Sequence, residues 1–464
     1  MVSLTIDARN RTPLVEQIVS GVSQQIETRL LMPGGRLPSI RTFAREYQVS
    51  RFTVVEAYDR LVALGYVQSR RGSGFFTVGR ENGHKAKDAA AAEHAVDVRW
   101  LFRRYLEANE GHLLAGGPWL PSDWMDAAGL RRNVRSLMRL NGQHLVGYGT
   151  PKGYLPLREQ LQLKLSGLGV AANPEQIVLT HGVSHALDLV MRHFLKPGDS
   201  VLVDDPGYYN FFGNLRAYGV RLHGVPRNPD GPDIPTLLKL AEAHKPKLYF
   251  TQSVLQNPTS GDMSPSVAFR VLQAAEKFDF LVVEDDVFCD MQSETTQRLA
   301  TLDQLSRVIY VSSFSKTLSG SLRVGYLACR RELAESVTDM KMLSCISTSL
   351  FGERLVYQML VEGHYRKFVE QLRGRLDAAR SQTLRMMEKL GMTVFVEPKS
   401  GMFIWARFPQ VEDSAELSNV AFKKGIILAP GAVFRPNLEQ SAWMRFNVSV
   451  FDSPLLHNFL REVR

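Results

Sequence analysis

The 464-residue chain has only three cysteines, Cys289, Cys329 and Cys345, scattered and without metal-ligand spacing. That excludes a disulfide framework and a cysteine-based metal centre, and it predicts a reducing, cytoplasmic setting. Apolar runs are short. None approaches the ~18 residues that a membrane-crossing helix needs, so no membrane partner is expected. The start, Met1-Val2-Ser3-Leu4-Thr5-Ile6-Asp7, lacks the basic region and apolar core of a signal peptide. Lysine is missing altogether from residues 1–79, where 10 arginines face 6 acidic residues for a net +4. An excess of that size suits a polyanionic partner without requiring one. What remains is ordinary for a globular protein, 44% apolar and 22% charged, in a chain too long for a single core.

Three regions follow from the patterning. Residues 1–79 are helix-rich and end in alternating strands. Residues 80–95 are polar and Ala-rich, with no core pattern, and read as a linker. Residues 96–464 alternate helical stretches with short apolar strands, among them Ile177-Val178-Leu179, Ser200 to Val203, Lys247 to Phe250, Phe280 to Val283 and Val308 to Val311. That alternation predicts an α/β fold with a large, mostly parallel sheet.

In the first region, Pro13 opens a helix with Leu14, Ile18, Val22, Ile26 and Leu30 in one apolar stripe. Leu37-Pro38-Ser39-Ile40-Arg41-Thr42-Phe43-Ala44 starts a second helix capped by Ser39. A turn at Tyr47-Gln48-Val49 leads to Ser50-Arg51-Phe52-Thr53-Val54-Val55-Glu56-Ala57-Tyr58. Val54, Ala57, Tyr58 and Leu61 face inward there, leaving Arg51 and Thr53 near the exposed start. This is a helix-turn-helix, whose second helix presents its N-terminal residues to the major groove of DNA. Gly65-Tyr66-Val67 and Arg70-Arg71-Gly72-Ser73-Gly74-Phe75-Phe76 predict a β-hairpin wing. These motifs resemble the winged helix-turn-helix head of GntR-type bacterial regulators over nearly all of residues 11–78. The resemblance implies that Arg41, Ser50, Arg51, Thr53, Arg71 and Gly72 contact an operator in double-stranded DNA. Arg51 would read guanine, and Arg41 and the wing would hold phosphate.

In the third region, a strand runs into Ser313-Phe314-Ser315-Lys316-Thr317-Leu318, with Leu322-Arg323-Val324-Gly325-Tyr326 close behind. An amine on a Ser-rich turn, with an arginine nearby, is what a Schiff-base lysine of pyridoxal phosphate requires. Asp285 ends another strand, where a carboxylate can pair with a protonated pyridine nitrogen. Thr180-His181-Gly182-Val183-Ser184 joins a strand to a helix start, an anion site in kind. Tyr208, in Asp204-Asp205-Pro206-Gly207-Tyr208, can stack on a planar ring. Asn257, in Gln256-Asn257-Pro258-Thr259, can donate to a ring oxygen.

The order of these motifs resembles fold-type-I pyridoxal-phosphate enzymes of the aspartate aminotransferase class, over roughly residues 110–464. That implies a large sheet domain with a small C-terminal α+β subdomain. By the resemblance, Lys316 bonds the cofactor and Asp285 pairs with the ring nitrogen. Asn257 bonds the 3′-oxygen, and Tyr208 stacks on the ring. Gly182, Val183, Ser184, Ser313 and Arg323 hold the phosphate. Tyr148 reaches the phosphate of a second subunit, which implies a homodimer, and Arg445 grips a substrate carboxylate. The chain departs from the family pattern at Val183 (usually Ser or Thr), at Phe288 (usually Tyr), in lacking a proline before Arg323, and at Ser260 (usually Gly). The two halves together resemble the MocR subfamily of GntR regulators. Its members use an aminotransferase-like body to sense pyridoxal phosphate, an amino acid or an amine. The alternative is a working aminotransferase with an accessory DNA-binding head.

Overall fold

The computed structural model describes every residue except 1–5, 8–11, 28–29, 33, 71–73, 79–97, 109–110, 140–145, 294–295 and 464. The wing positions Arg71 and Gly72 and the 80–95 linker therefore lie outside the described residues. The chain forms two units, Met1–Ala91 and Ala92–Arg464.

The first unit holds helices α1 (Leu14–Glu27), α2 (Ile40–Glu46) and α3 (Arg51–Ala63), then strands β1 (Val67–Arg70) and β2 (Gly74–Thr77). Ile18, Val22 and Ile26 of the predicted stripe are buried, but Leu30 lies beyond the end of α1 and is exposed. The periodicity outlasts the helix. Ser39 and Ser50 cap α2 and α3, accepting from Thr42 N at 3.1 Å and Thr53 N at 3.0 Å; such caps are worth about 1 kcal/mol each. Gln48 takes a left-handed conformation, φ 52°, which turns the chain sharply between the two helices. Phe43, Val54, Ala57, Tyr58 and Leu61 close the core with the α1 residues. Tyr58 Oη donates to Pro38 O at 2.9 Å and ties α3 to the chain entering α2. The wing strands pair antiparallel, Val67 opposite Thr77 and Arg70 opposite Gly74.

The second unit is built on β3 (Ile177–Thr180), β4 (Ser200–Asp205), β5 (Arg221–Asn228), β6 (Gly231–Pro232), β7 (Leu248–Thr251), β8 (Leu281–Asp285), β9 (Val308–Ser313) and β10 (Gly325–Ala328). Their order in the sheet is β3-β10-β9-β8-β7-β4-β5-β6. Strands β9, β8, β7, β4 and β5 run parallel, and β10 is antiparallel to both its neighbours. Alternate residues enter different cores. Leu202, Tyr249, Val282 and Tyr310 pack on one face, and Val201, Val203, Phe250, Val283 and Val311 on the other. Helices cover both faces, which is why these strands appear in the sequence as unbroken apolar runs. The carboxyl ends of β8 and β9 deliver Asp285 and Ser313 to one rim, where α/β sheets bind ligands.

A smaller antiparallel sheet, ordered β11-β12-β14-β13, comprises β11 (Thr393–Val394), β12 (Phe403–Arg407), β13 (Ala429–Pro430) and β14 (Met444–Asn447). Helices His364–Lys389, Ser414–Lys423 and Pro454–Val463 complete this subdomain. The helix Val98–Glu107 packs Leu101 and Tyr105 against Tyr209, Trp405 and Phe434. Among the described residues no helix is long and apolar enough to cross a membrane.

Candidate functional site

A cavity of about 610 Å³ opens at the carboxyl rim of the large sheet. Val183, Ser184, Tyr208, Asn257, Asp285, Ser313, Lys316 and Arg323, all named from the sequence, line it together. Gly182 stands at its edge as the N-cap of the helix Val183–Phe194, with φ 76°. That backbone conformation favours glycine, and a Cβ there would also lie 2.9 Å from Arg323 Nη2. Arg323, itself at φ 53°, donates from Nη2 to His181 O at 3.0 Å and is held beside that helix start. Gly325 packs its backbone on Gly182, where a Cβ would meet Gly182 Cα at 2.7 Å. The two turns that would hold an anion are thus locked to each other.

Lys316 Nζ donates to Pro118 O at 2.6 Å. Burial pushes its pKa down to about 8, helped by the Arg445 and Arg323 charges and opposed by Asp285. Asp285 Oδ2 accepts from Gln252 Nε2 at 3.0 Å, and Oδ1 accepts from Val287 N at 3.2 Å. Burial nevertheless raises the Asp285 carboxyl to about 7. A cationic ring nitrogen beside it would draw it back to the ionised form.

Among the lining residues not identified from the sequence, Gln252 and Ser315 carry polar groups that bear on the site. Gln252 follows β7, donates to Asp285, and accepts from Asn257 N through Oε1 at 2.8 Å, so one side chain fixes two others. Its own backbone N donates to Asp204, at 3.4 Å. Asp204 is fully committed, accepting also from Tyr249 Oη at 2.6 Å and Arg227 Nη1 at 2.8 Å. Nothing in Thr251-Gln252-Ser253 marks this, because a polar residue after a strand is ordinary turn chemistry. Ser315 carries a buried Oγ with no partner, facing the cavity. Its signal was present in Ser-Phe-Ser-Lys, where the residue before the lysine repeats the hydroxyl. A buried orphan hydroxyl and a cradle that favours glycine beside an arginine suit a phosphate, and Lys316 and Asp285 suit an aldehyde and a ring nitrogen. The residues present fit pyridoxal phosphate.

Two residues stand apart from the wall. Arg445 on β14 is fully buried, donating from Nη1 to Asn257 Oδ1 and from Nη2 to Gly116 O, each at 2.7 Å. It lies behind Asn257, packed on Phe403 at 4.3 Å, and its Nε has no partner. Asn257 Oδ1 is occupied by this bond, which leaves its Nδ2 as the donor. Tyr148 is 82% exposed and does not line the cavity of its own chain. Phe288 does line it, and its ring lies 5.9 Å from Lys316 Nζ without a hydroxyl to offer.

In the first unit, Arg41, Ser50 and Arg51 are exposed and Thr53 is half-buried. The Ser50 oxygen is the α3 cap and also lies 2.8 Å from Thr53 Oγ1, so the pair stiffens the first turn from which Arg51 projects.

Comparison with known proteins follows this division. The family described as "Aminotransferase class I and II" matches residues 106–463, and "Bacterial regulatory proteins, gntR family" matches residues 14–77. The HTH-type transcriptional regulator YdfD of Bacillus subtilis is 27% identical over 436 residues, 91% of this chain and 90% of its own, so the likeness spans both units. The 2-aminoadipate transaminase of Thermus thermophilus is 29% identical over 327 residues, covering 68% of this chain and 80% of its own. A crystal structure of Pyrococcus horikoshii kynurenine aminotransferase superposes with a TM-score of 0.72 at 26% identity, covering 83% of this chain and 96% of that one.

Proposed function

The chain belongs to the aminotransferase class I and II family and carries a gntR-family head, and on that premise we propose a cytoplasmic, homodimeric transcriptional regulator of the MocR type. Its body binds pyridoxal phosphate and senses an amino acid or amine, and its head binds an operator. One observation carries this reading: a cavity whose lining fits the cofactor and a capped helix with an exposed Arg51 at its start occur in the same chain. When bound, pyridoxal phosphate supplies an electrophilic aldehyde and an electron-withdrawing ring. Lys316 would bond that aldehyde, and Asp285 would hold a proton at the ring nitrogen. Asn257 Nδ2 would donate to the 3′-oxygen. The helix start at Gly182, Val183 and Ser184, with Ser313, Ser315 and Arg323, would hold the phosphate.

Much of the remaining wall is apolar, with Phe102, Leu106, Trp119, Leu120, Met125 and Phe288. It suits an effector with an apolar side chain. Arg445 supports carboxylate recognition through its buried, unpaired Nε. Exposed Tyr148 supports a dimer, because its side chain is free to meet a second subunit and does not line the cavity of its own chain. Leu343, 90% exposed, and Ile346, also exposed, offer further apolar surface to such a partner.

Catalysis is the second reading, favoured by the depressed amine of Lys316. Phe288 weighs against efficient turnover, since a hydrogen bond of about 0.5–1.5 kcal/mol is forgone there. The test is a gel-shift series on a selected operator with apo-protein, cofactor-loaded protein, and loaded protein plus amino acids, with keto acid assayed in parallel. Cofactor-dependent affinity without keto acid is the expected result. Keto acid production with unchanged DNA affinity sinks the regulator reading.

Gln252→Leu is expected to weaken cofactor binding. It removes the donor to Asp285 and the acceptor for Asn257 N, and a hydrogen bond to a charged group is worth about 1.5–3 kcal/mol. That converts to roughly 10- to 100-fold in Kd. An absorbance titration of folded apo-protein reads it, and an unchanged Kd removes Gln252 from the site.

A further inference from the structure

Phe52 is the second residue of α3 and is 77% exposed, between Arg51 and Thr53. Four residues bury the other side of this helix: Val54, Ala57, Tyr58 and Leu61. Val55, 38% exposed, lies one turn on from Phe52 along the same face. Beyond it, Glu56 is held by Arg60 at 2.7 Å, which draws that carboxylate along the helix. Phe52 makes no ring contact among the described residues, and the core of the head is complete without it. A large aromatic in this position does nothing for the fold and exposes apolar area at the expense of solubility.

We propose that Phe52 reads the 5-methyl group of a thymine in the operator, a specificity determinant beside Arg51. The inference rests on the DNA-binding reading of the head and adds a base identity to it. The start of a recognition helix meets base edges in the major groove, and thymine alone presents an apolar group there. Phosphates offer nothing to an uncharged ring, so Phe52 adds no general affinity. The face is continuous with Arg51, whose charge draws the helix to DNA, and Ser50 fixes the first turn. The position of Phe52 relative to the guanine-reading arginine is therefore set by the helix, which places the thymine next to the base pair read by Arg51.

The experiment uses the full chain and an operator selected from random-sequence DNA. Each thymine is replaced singly by deoxyuridine, which deletes the methyl and leaves every hydrogen-bonding group. Wild-type protein is expected to lose about fourfold in affinity at one or two positions, the value of one apolar carbon removed from water, and almost nothing elsewhere. In Phe52→Ala the thymine and deoxyuridine operators should bind alike at those positions, and Phe52→Leu should keep part of the preference. Phe52 is exposed, so both variants should melt like wild type. The proposal is overturned if no deoxyuridine position weakens wild-type binding, or if the loss persists undiminished in Phe52→Ala. In either case, retained operator binding leaves the DNA-binding reading standing. A wild-type chain that selects no operator overturns both.

Discussion

Lys316→Ala is expected to abolish the borohydride-fixable attachment of cofactor completely, because among the described residues no other lysine lines the cavity. The chain offers a rival of matching acidity. Lys341 is fully buried, and burial brings its pKa to about 8 as well, against the opposing pull of Glu353. Chemistry alone would not separate the two lysines; position does. Lys341 donates to Leu179 O at 2.7 Å and Thr348 Oγ1 at 3.0 Å and does not line the cavity, whereas Lys316 forms its wall next to Asp285, Ser313 and Arg323. Peptide mapping of the reduced wild-type protein should therefore find the label on Lys316 and none on Lys341. An undiminished adduct in Lys316→Ala, or a label on Lys341, would remove the basis for assigning the cavity. The apo-variant should still fold, since the hydrogen bond lost is a single one to Pro118 O and a buried, repelled amine is removed with it.

The site was legible in the sequence where chemistry coincides with strand ends. Asp285 and Ser313 close β8 and β9, apolar runs that stop at a polar residue, and both occupy the cavity. Lys316 was visible because its turn repeats hydroxyls around an amine. Gln252 was not, because its role depends on β7 lying beside β8, a pairing that juxtaposes residues 33 apart. Arg445 was named from the sequence as a carboxylate grip, but its burial behind the cavity wall was not foreseen. Its strand β14 runs between β12 and β13, so its side chain passes beneath Asn257 rather than opening freely on the cavity. The apolar stripe of α1 was read one turn too far, since a four-residue spacing carries no information about where the helix stops. Topology and termination, more than residue type, account for these differences.

The loading of cofactor should rise about tenfold per pH unit up to pH 8 and then level off. On the proposed reading the attacking group would be the neutral amine of Lys316, whose pKa burial lowers to about 8. At pH 7 roughly a tenth of it is neutral, against about one part in three thousand for an ordinary lysine. The sign follows from the cause. Burial disfavours the charged amine, Arg445 and Arg323 repel it, and only Asp285 holds the proton on. Asp285→Asn removes that one restraint, so the inflection should move to lower pH even as the variant holds the cofactor less tightly. The same shift has a stability counterpart. Between about pH 8 and 10.5 the unfolded chain binds a proton at Lys316 that the folded apo-protein does not, so this group's contribution makes the fold more stable as pH rises through that window. Asp285, raised to about 7, acts oppositely at lower pH. Its contribution is greatest below the ordinary carboxylate range and is lost as pH rises through about 7. Stopped-flow absorbance of apo-protein mixed with cofactor, from pH 6 to 10, measures the first effect directly. A rate that keeps climbing to pH 10 would mean that the Lys316 amine is ordinary, and that neither its burial nor the two arginines prepare it for the aldehyde.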